Sequence, residues 1–318
     1  MDRIWDCVVV GGGAAGLSAA LVLGRARRRT LLIDGGAQSN LRAHGIGGLL
    51  GHDGRPPAEL YALGRQELSA YPSVEVRTAE VTRGERADEL FVLRLDDGGI
   101  ERARRVVLST GMDYRPPPLP GLAELWGRSA FHCPFCHGWE VRDQPLAVLA
   151  RGERAVHSTL LMRLWSDDVI LLTDGPSDLD GAQRERLAAA GVPVDERAVA
   201  ELFGADGSLE AVVFADGSRL PRTGIMVATT LHQRSSLAEQ FGAASGESTP
   251  VAHNPVHVDA FYRTSAGGVF AAGDVIGQMP QVAAAVAAGS AAAAAVVQSL
   301  VEEDFPVVVP GGSRHVNA

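Results

Sequence analysis

Asp6 to Val10 (DCVVV) is a short run dominated by apolar side chains that stops at three glycines. Strands buried on both faces of a parallel sheet read this way, with no polar alternation. Leu17 to Gly24 then repeats apolar residues at helical spacing, and Arg29 to Ile33 is a second apolar run closed by Asp34. The pattern predicts strand, glycine turn, helix and strand. The same alternation returns later. Leu146 to Ala150, Val169 to Leu172 and Gly224 to Thr229 read as strands, with helices from about Ala155 to Leu164 and from about Gly181 to Ala190. Arg105 to Gly111 (RVVLSTG) and Gly268 to Val275 (GVFAAGDV) are further strands, each ending in a small-residue turn.

Two stretches break the alternation. Asp113 to Pro118 (DYRPPP) is a stiff crossing, because proline fixes φ and favours extended chain. Gly242 to Ala252 is small and polar and reads as a return linker. The elements predict an α/β fold of two Rossmann-like (FAD/NAD-binding type) domains, the second inserted into the first. The expected segments are residues 1–115 and 246–318 for the outer domain and 116–245 for the inserted one. No short-period repeat is present, and two such units amount to a coarse duplication.

Composition narrows the function. At 318 residues, 46% hydrophobic and 21% charged, the chain is that of an ordinary soluble protein. A net charge of −9 gives no reason to expect nucleic acid or an anionic membrane as partner. The start, MDRIWDCVVVGGG, has no signal-peptide pattern, so a cytoplasmic location is expected. No apolar stretch of eighteen residues is apparent, and the Ala-rich run from Val282 to Val297 reads as too short and small-sided to span a bilayer. All 29 Lys plus Arg residues are arginines, which removes a Walker P-loop, a Schiff-base lysine and a lysine base together.

The candidate chemistry lies in three places. Gly11-Gly12-Gly13-Ala14-Ala15-Gly16 is a G-x-G-x-x-G turn between strand and helix. Gly11 and Gly13 allow a tight turn and close approach of a pyrophosphate, Gly16 lets helix and strand pack, and Asp34 is placed for ribose hydroxyls. Gly273-Asp274 would put a carboxylate on the ribityl chain of FAD. In Phe131 to Glu140 (FHCPFCHGWE), Cys133 and Cys136 form a C-x-x-C flanked by His132 and His137. Three cysteines make no disulfide framework, and Cys7 reads as a small core residue. Zinc would need further ligands at workable spacing and none is evident, so no metal site is expected and a redox pair is favoured.

The GGGAAG fingerprint, the Ser109-Thr110-Gly111 turn, an inserted domain opening with C-x-x-C, and a terminal Gly-Asp-Val before a helix resemble low-molecular-weight thioredoxin reductases over nearly the whole chain. That resemblance implies a homodimer with one FAD per subunit. It implies Cys136 as the thiol next to the flavin and Cys133 as the outer thiol that exchanges with substrate. The implied cofactor contacts are Gly11, Gly13, Ala14, Ala15, Gly16, Asp34, Gly35, Asn40, Thr110, Gly111, Gly273, Asp274, Gln281 and Val282. The helix starting near Gln281 would aim its positive end at the flavin.

Two departures redirect the expectation. Reductases carry a second glycine turn for NADPH. The corresponding stretch here is Ala150-Arg151-Gly152-Glu153-Arg154-Ala155, with an alanine for the first glycine and Glu153 where a pyrophosphate would come. Their 2′-phosphate cluster is replaced by Thr173-Asp174-Gly175, so NADPH use is not expected. Beside the disulfide, His137 stands where reductases have an aspartate. With Leu41 to Gly54 and Leu161 to Asp168, this is similar to the NADPH-independent dithiol oxidases of gliotoxin and holomycin-like dithiolopyrrolone biosynthesis, enzymes of antibiotic-type pathways. The partners then implied are a small-molecule dithiol and O2, with H2O2 as product. His137 is the first candidate base and His132 the second. His44 and His52 are weaker candidates for flavin or substrate contact, and Trp139 and Trp165 read as packing. Competing readings are a reductase using NAD(P)H or a reduced ferredoxin-type carrier, and an FAD-bearing sensor without turnover.

Overall fold

The computed structural model describes residues 3–306, and for Glu153 the backbone alone. The strand Ile4–Val10 pairs in parallel with Thr30–Asp34 on one side and Ile100–Leu108 on the other. The sheet continues to Val74–Thr78 beyond the second strand. Val269–Ala271, from late in the chain, joins it in parallel beside Ile100–Leu108. An antiparallel extension, Leu90–Leu95 and Val81–Ala87, completes seven strands. Side chains alternate between the faces of a strand, and here both faces are covered. Val8 and Val10 enter one core with Leu31, Ile33 and Val106, while Cys7 and Val9 enter another with Leu17, Leu23 and Leu32. That is why the run is apolar from Cys7 to Val10.

The inserted domain has its own parallel sheet, in the order Val194–Asp195, Val169–Leu172, Leu146–Leu149, Gly224–Val227 and Ala130–Phe131. It repeats the two-sided burial, with Leu146 and Val148 in one core and Ala147 and Leu149 in the other. A three-stranded antiparallel sheet, Val199–Ala205, Ser208–Phe214 and Arg219–Pro221, packs on it. The two chain crossings between domains hydrogen-bond to one another. Met112–Arg115 pairs antiparallel with Thr230–Gln233, so the crossing expected to be stiffened by proline is a two-stranded ribbon as far as Arg115.

Two boundaries differ from the sequence expectation. The helix in the inserted domain begins at Gly152, three residues before Ala155, and ends at Met162. The Ala-rich helix runs from Val282 to Asp304, 23 residues, and by length and composition it could cross a membrane, contrary to the shorter run read from sequence. In the fold it lies along Ala14–Arg25, with Ala288, Gly289, Ala292 and Ala293 buried. Its smallness is explained by that packing: a Cβ on Gly289 would stand 2.0 Å from the Ala15 carbonyl oxygen. The acidic end, Glu303 and Asp304, is unfavourable at a helix C-terminus. Arg104 meets both carboxylates there, and Arg105 meets Glu303 at 2.7 Å.

Candidate active site

One large cavity runs along the C-terminal ends of the first sheet and reaches the inserted domain. Of the fourteen residues expected to contact a cofactor, thirteen line it: Gly11, Gly13, Ala14, Ala15, Asp34, Gly35, Asn40, Thr110, Gly111, Gly273, Asp274, Gln281 and Val282. Gly16 does not. It sits beneath the turn, where a Cβ would meet the Gly11 carbonyl oxygen at 1.8 Å, so it serves strand–helix contact. Gly11 has φ +107°, and a Cβ there would stand 2.2 Å from the Ser109 oxygen. Gly13 is the opposite case, with nothing but a Gln38 carbon at 3.9 Å. The space above it opens toward the first turn of the helix Ala14–Arg25, whose start has no side-chain cap. The start of Val282–Asp304 is also uncapped by a side chain and also borders the cavity. Two helix N-termini without side-chain caps border one cleft, each a favourable place for negative charge.

Asp34 is buried and accepts hydrogen bonds from the Gly36 amide at 2.8 Å and the Gln38 amide nitrogen at 2.9 Å, with Arg65 at 3.3 Å. Gly12 is pressed against it, a Cβ there falling 2.1 Å from the Asp34 carboxyl carbon. Neither Gly12 nor Gln38 was singled out from sequence. Gly12 occupies a free position of the motif, and Gln38 acts from a loop with no pattern of its own. Asp274 faces the cavity and accepts from the Tyr114 hydroxyl at 2.8 Å. Burial pushes its carboxyl above the usual range.

Cys133 is the N-cap of the four-residue helix Pro134–His137, and Cys136 follows one turn later, so the two thiols share a face. Both are free thiols. Cys136 lines the cavity and Cys133 does not. The loop after Leu41 backs the pair, since a Cβ on Gly47 would meet the Cys136 carbonyl oxygen at 3.0 Å. The Cys133 thiol is brought down to about 7, chiefly by a hydrogen bond from Cys136, while Cys136 is pushed up by the same contact and by burial. In the reduced protein, alkylation of Cys133 is expected to rise through pH 7. In Cys136→Ala it is expected to rise nearer the ordinary value of 9, because the donor to the thiolate is gone. Labelling followed by mass spectrometry reads both midpoints, and equal midpoints in the two proteins would refute the contact.

His132 and His137 both line the cavity. His137 Nε2 bonds the Gly127 carbonyl at 3.2 Å, so that nitrogen carries the proton, and its Nδ1 is buried without a hydrogen-bond partner. Its ring stacks on Phe131 at 5.5 Å, and burial lowers its pKa. His132 leans on Trp126 and Tyr114 at 5.9 and 4.8 Å, and burial takes it down to about 4. Both imidazoles are therefore neutral near pH 7, able to accept a proton. Neither His44 nor His52 lines the cavity, and His52 Nδ1 accepts from Arg55 at 2.9 Å. Trp165 packs flush, 2.8 Å from where a Gly138 Cβ would stand, but Trp139 is 66% exposed with Arg142 over its ring. Cys7 is buried in the first sheet.

The second glycine turn is occupied by the protein itself. Arg151 donates to the carbonyls of Thr173 and Asp174, and the Gly152 amide, at the helix start, faces the Asp178 carboxylate at 3.3 Å. Arg154 donates to the carbonyls of Pro250 and Thr229 at 2.7 and 3.1 Å. Asp174 accepts from the Val199 amide at 2.8 Å. The side chain of Glu153, given weight in the sequence, lies outside the described residues.

Residues 5–289 match the family model for pyridine nucleotide-disulphide oxidoreductases. The chain belongs to that family. Its members of the thioredoxin reductase type bind FAD, and the protein is a flavin-binding oxidoreductase. Thioredoxin reductase tcpT of Claviceps purpurea is 30% identical over 295 residues, spanning 90% of this chain and 91% of the relative. The crystal structure of HlmI is 39% identical with a TM-score of 0.89, covering 96% of this chain and 95% of that one. An oxidoreductase from Agrobacterium tumefaciens is 35% identical at a TM-score of 0.89, covering 96% and 100%. Homologues of this kind are commonly homodimers.

Proposed function

We propose that the protein is an FAD-dependent dithiol oxidase that closes an intramolecular disulfide in a small-molecule, natural-product dithiol, with O2 as acceptor, working as a cytoplasmic homodimer without NAD(P)H. The observation that carries this reading is the second glycine turn. Asp178 takes the helix-start amide that a pyrophosphate would use, and Arg151 spends its donors on backbone carbonyls. A flavin that neither a nicotinamide nor a reduced carrier protein reduces draws its electrons from the thiol side.

The chain's own groups support that direction. A substrate thiol gives its proton to His137, and the thiolate attacks Cys133 of the oxidised pair. A mixed disulfide forms and Cys136 leaves as thiolate. The second substrate thiolate attacks the first substrate sulfur, closing the product ring and releasing Cys133. Two electrons have entered the pair, and two protons have left the substrate. FAD, when bound, accepts two electrons from such a pair and passes them to oxygen as hydrogen peroxide.

The test is anaerobic. A dithiol such as dithiothreitol is expected to bleach the bound flavin, NADPH and NADH are expected not to within the turnover time, and air should restore colour with one peroxide per dithiol. Bleaching by NADPH or NADH at a catalytic rate would replace this reading with the reductase one, which the names of the curated relatives favour.

A further inference from the structure

Tyr114 belongs to neither motif and was not anticipated, yet it touches both halves of the site. It lies on the crossing strand Met112–Arg115, opposite Leu231 of the return strand. Its hydroxyl donates to Asp274 at 2.8 Å, and Asp274 is set in the outer domain by Gly273, which has φ +83° and no room for a Cβ beside Ala15. Its ring meets His132 at 4.8 Å with the planes tilted by 58°, and His132 is the residue immediately before Cys133. His132 also stacks on Trp126 at 5.9 Å. All four side chains line the same cavity as Cys136. The only covalent links between the domains are the two strands of this ribbon, so the ribbon alone sets a path and leaves the facing surfaces to set the register.

We propose that Tyr114 is a positioning residue that registers the inserted domain on the flavin site. Its hydroxyl anchors on the carboxylate expected at the ribityl chain, and its ring seats His132 and, through it, the cysteine pair. The two ends do separable things. The hydroxyl keeps Asp274 aligned as an acceptor inside a cavity wall, so its loss acts on cofactor binding. The ring fixes where the C-x-x-C helix begins, so its loss acts on electron transfer between the pair and the flavin. The proposal rests on the flavin site and on a redox-active cysteine pair. It does not require oxygen as the acceptor or any one substrate.

Tyr114→Phe and Tyr114→Leu separate the ends, since phenylalanine keeps the ring and leucine keeps only bulk. Apoprotein of each is titrated with FAD by fluorescence. Each holoprotein, saturated with FAD, is then bleached anaerobically with dithiothreitol. Both variants are expected to bind FAD about tenfold more weakly, the scale of one lost hydrogen bond to a buried carboxylate. Tyr114→Leu is expected to bleach about tenfold or more slowly than Tyr114→Phe at saturating FAD, as a small misplacement of reacting groups does. Wild-type FAD affinity in Tyr114→Phe overturns the anchor, and bleaching of Tyr114→Leu as fast as Tyr114→Phe overturns the seat. Failure of the oxidase reading shows separately, as bleaching by NADPH or as absence of peroxide, and leaves both measurements intact.

Discussion

Cys136→Ser is expected to bind FAD like the wild type and to show no dithiol-driven oxygen uptake, a loss on the order of 10³-fold or more. A serine hydroxyl can donate to Cys133 as the Cys136 thiol does but cannot form the disulfide that stores the electron pair. Cys133 alone, as a thiol, offers a substrate thiolate no disulfide to attack, and it has no neighbour to carry two electrons toward the cavity that Cys136 lines. His137→Ala is the informative comparison, because the cysteine pair survives. Its loss is expected to be about 10²-fold, the scale of one general base. The pH profile gives the sign. Burial lowers the His137 pKa, so the neutral base persists below the ordinary histidine value, and wild-type activity falls only as pH drops through that lowered pKa. The variant is expected to lack this acidic limb. An oxygen electrode over a series of dithiols and pH values reads all of this. Normal turnover in Cys136→Ser would mean that the electrons take another path.

What the sequence disclosed was local and what it hid was long-range. The first strand, glycine turn and helix were legible because a strand buried on both faces must be apolar throughout and a backbone approaching phosphate must be glycine. The cysteine pair was legible for the same reason: two thiols sharing a helix face require that spacing. Tyr114 and Asp274 are 160 residues apart and meet only because the return segment rejoins the first sheet. Nothing around Tyr114 marks it, beyond an aromatic residue in an otherwise polar, proline-rich crossing. Gln38, Trp126 and Gly127 were hidden likewise, each acting from a loop whose place is set by tertiary contacts. The closing of the second turn was half visible. The loss of its first glycine could be read directly, but the arrival of Asp178 from a loop 26 residues away could not. The helix Val282–Asp304 was underestimated because its late residues, Ser299 to Asp304, are mixed in polarity; Arg104 and Arg105 hold the acidic end in place.

The second and third glycines of the G-x-G-x-x-G turn, Gly13 and Gly16, should fail in opposite ways. Gly16→Ala is expected to destabilise the apoprotein by about 3 kcal/mol or more, the upper range for overpacking, because the new methyl would meet backbone at 1.8 Å and backbone cannot rotate aside. Flavin content should fall with it, since the strand and helix that form the turn are pushed apart. Gly13→Ala adds the same methyl where the nearest atom is a flexible Gln38 carbon at 3.9 Å, in an extended conformation with φ −78° that alanine adopts freely. Its apoprotein stability is expected to stay within about 0.5 kcal/mol of wild type. Its FAD affinity should nonetheless fall at least tenfold, since the methyl projects into the space a pyrophosphate needs in order to reach the helix start. Denaturation of the apoproteins and fluorescence titration with FAD separate the two effects. If Gly13→Ala binds FAD like the wild type, the phosphates do not lie over this turn. Should it instead unfold as readily as Gly16→Ala, the open space above Gly13 is not there.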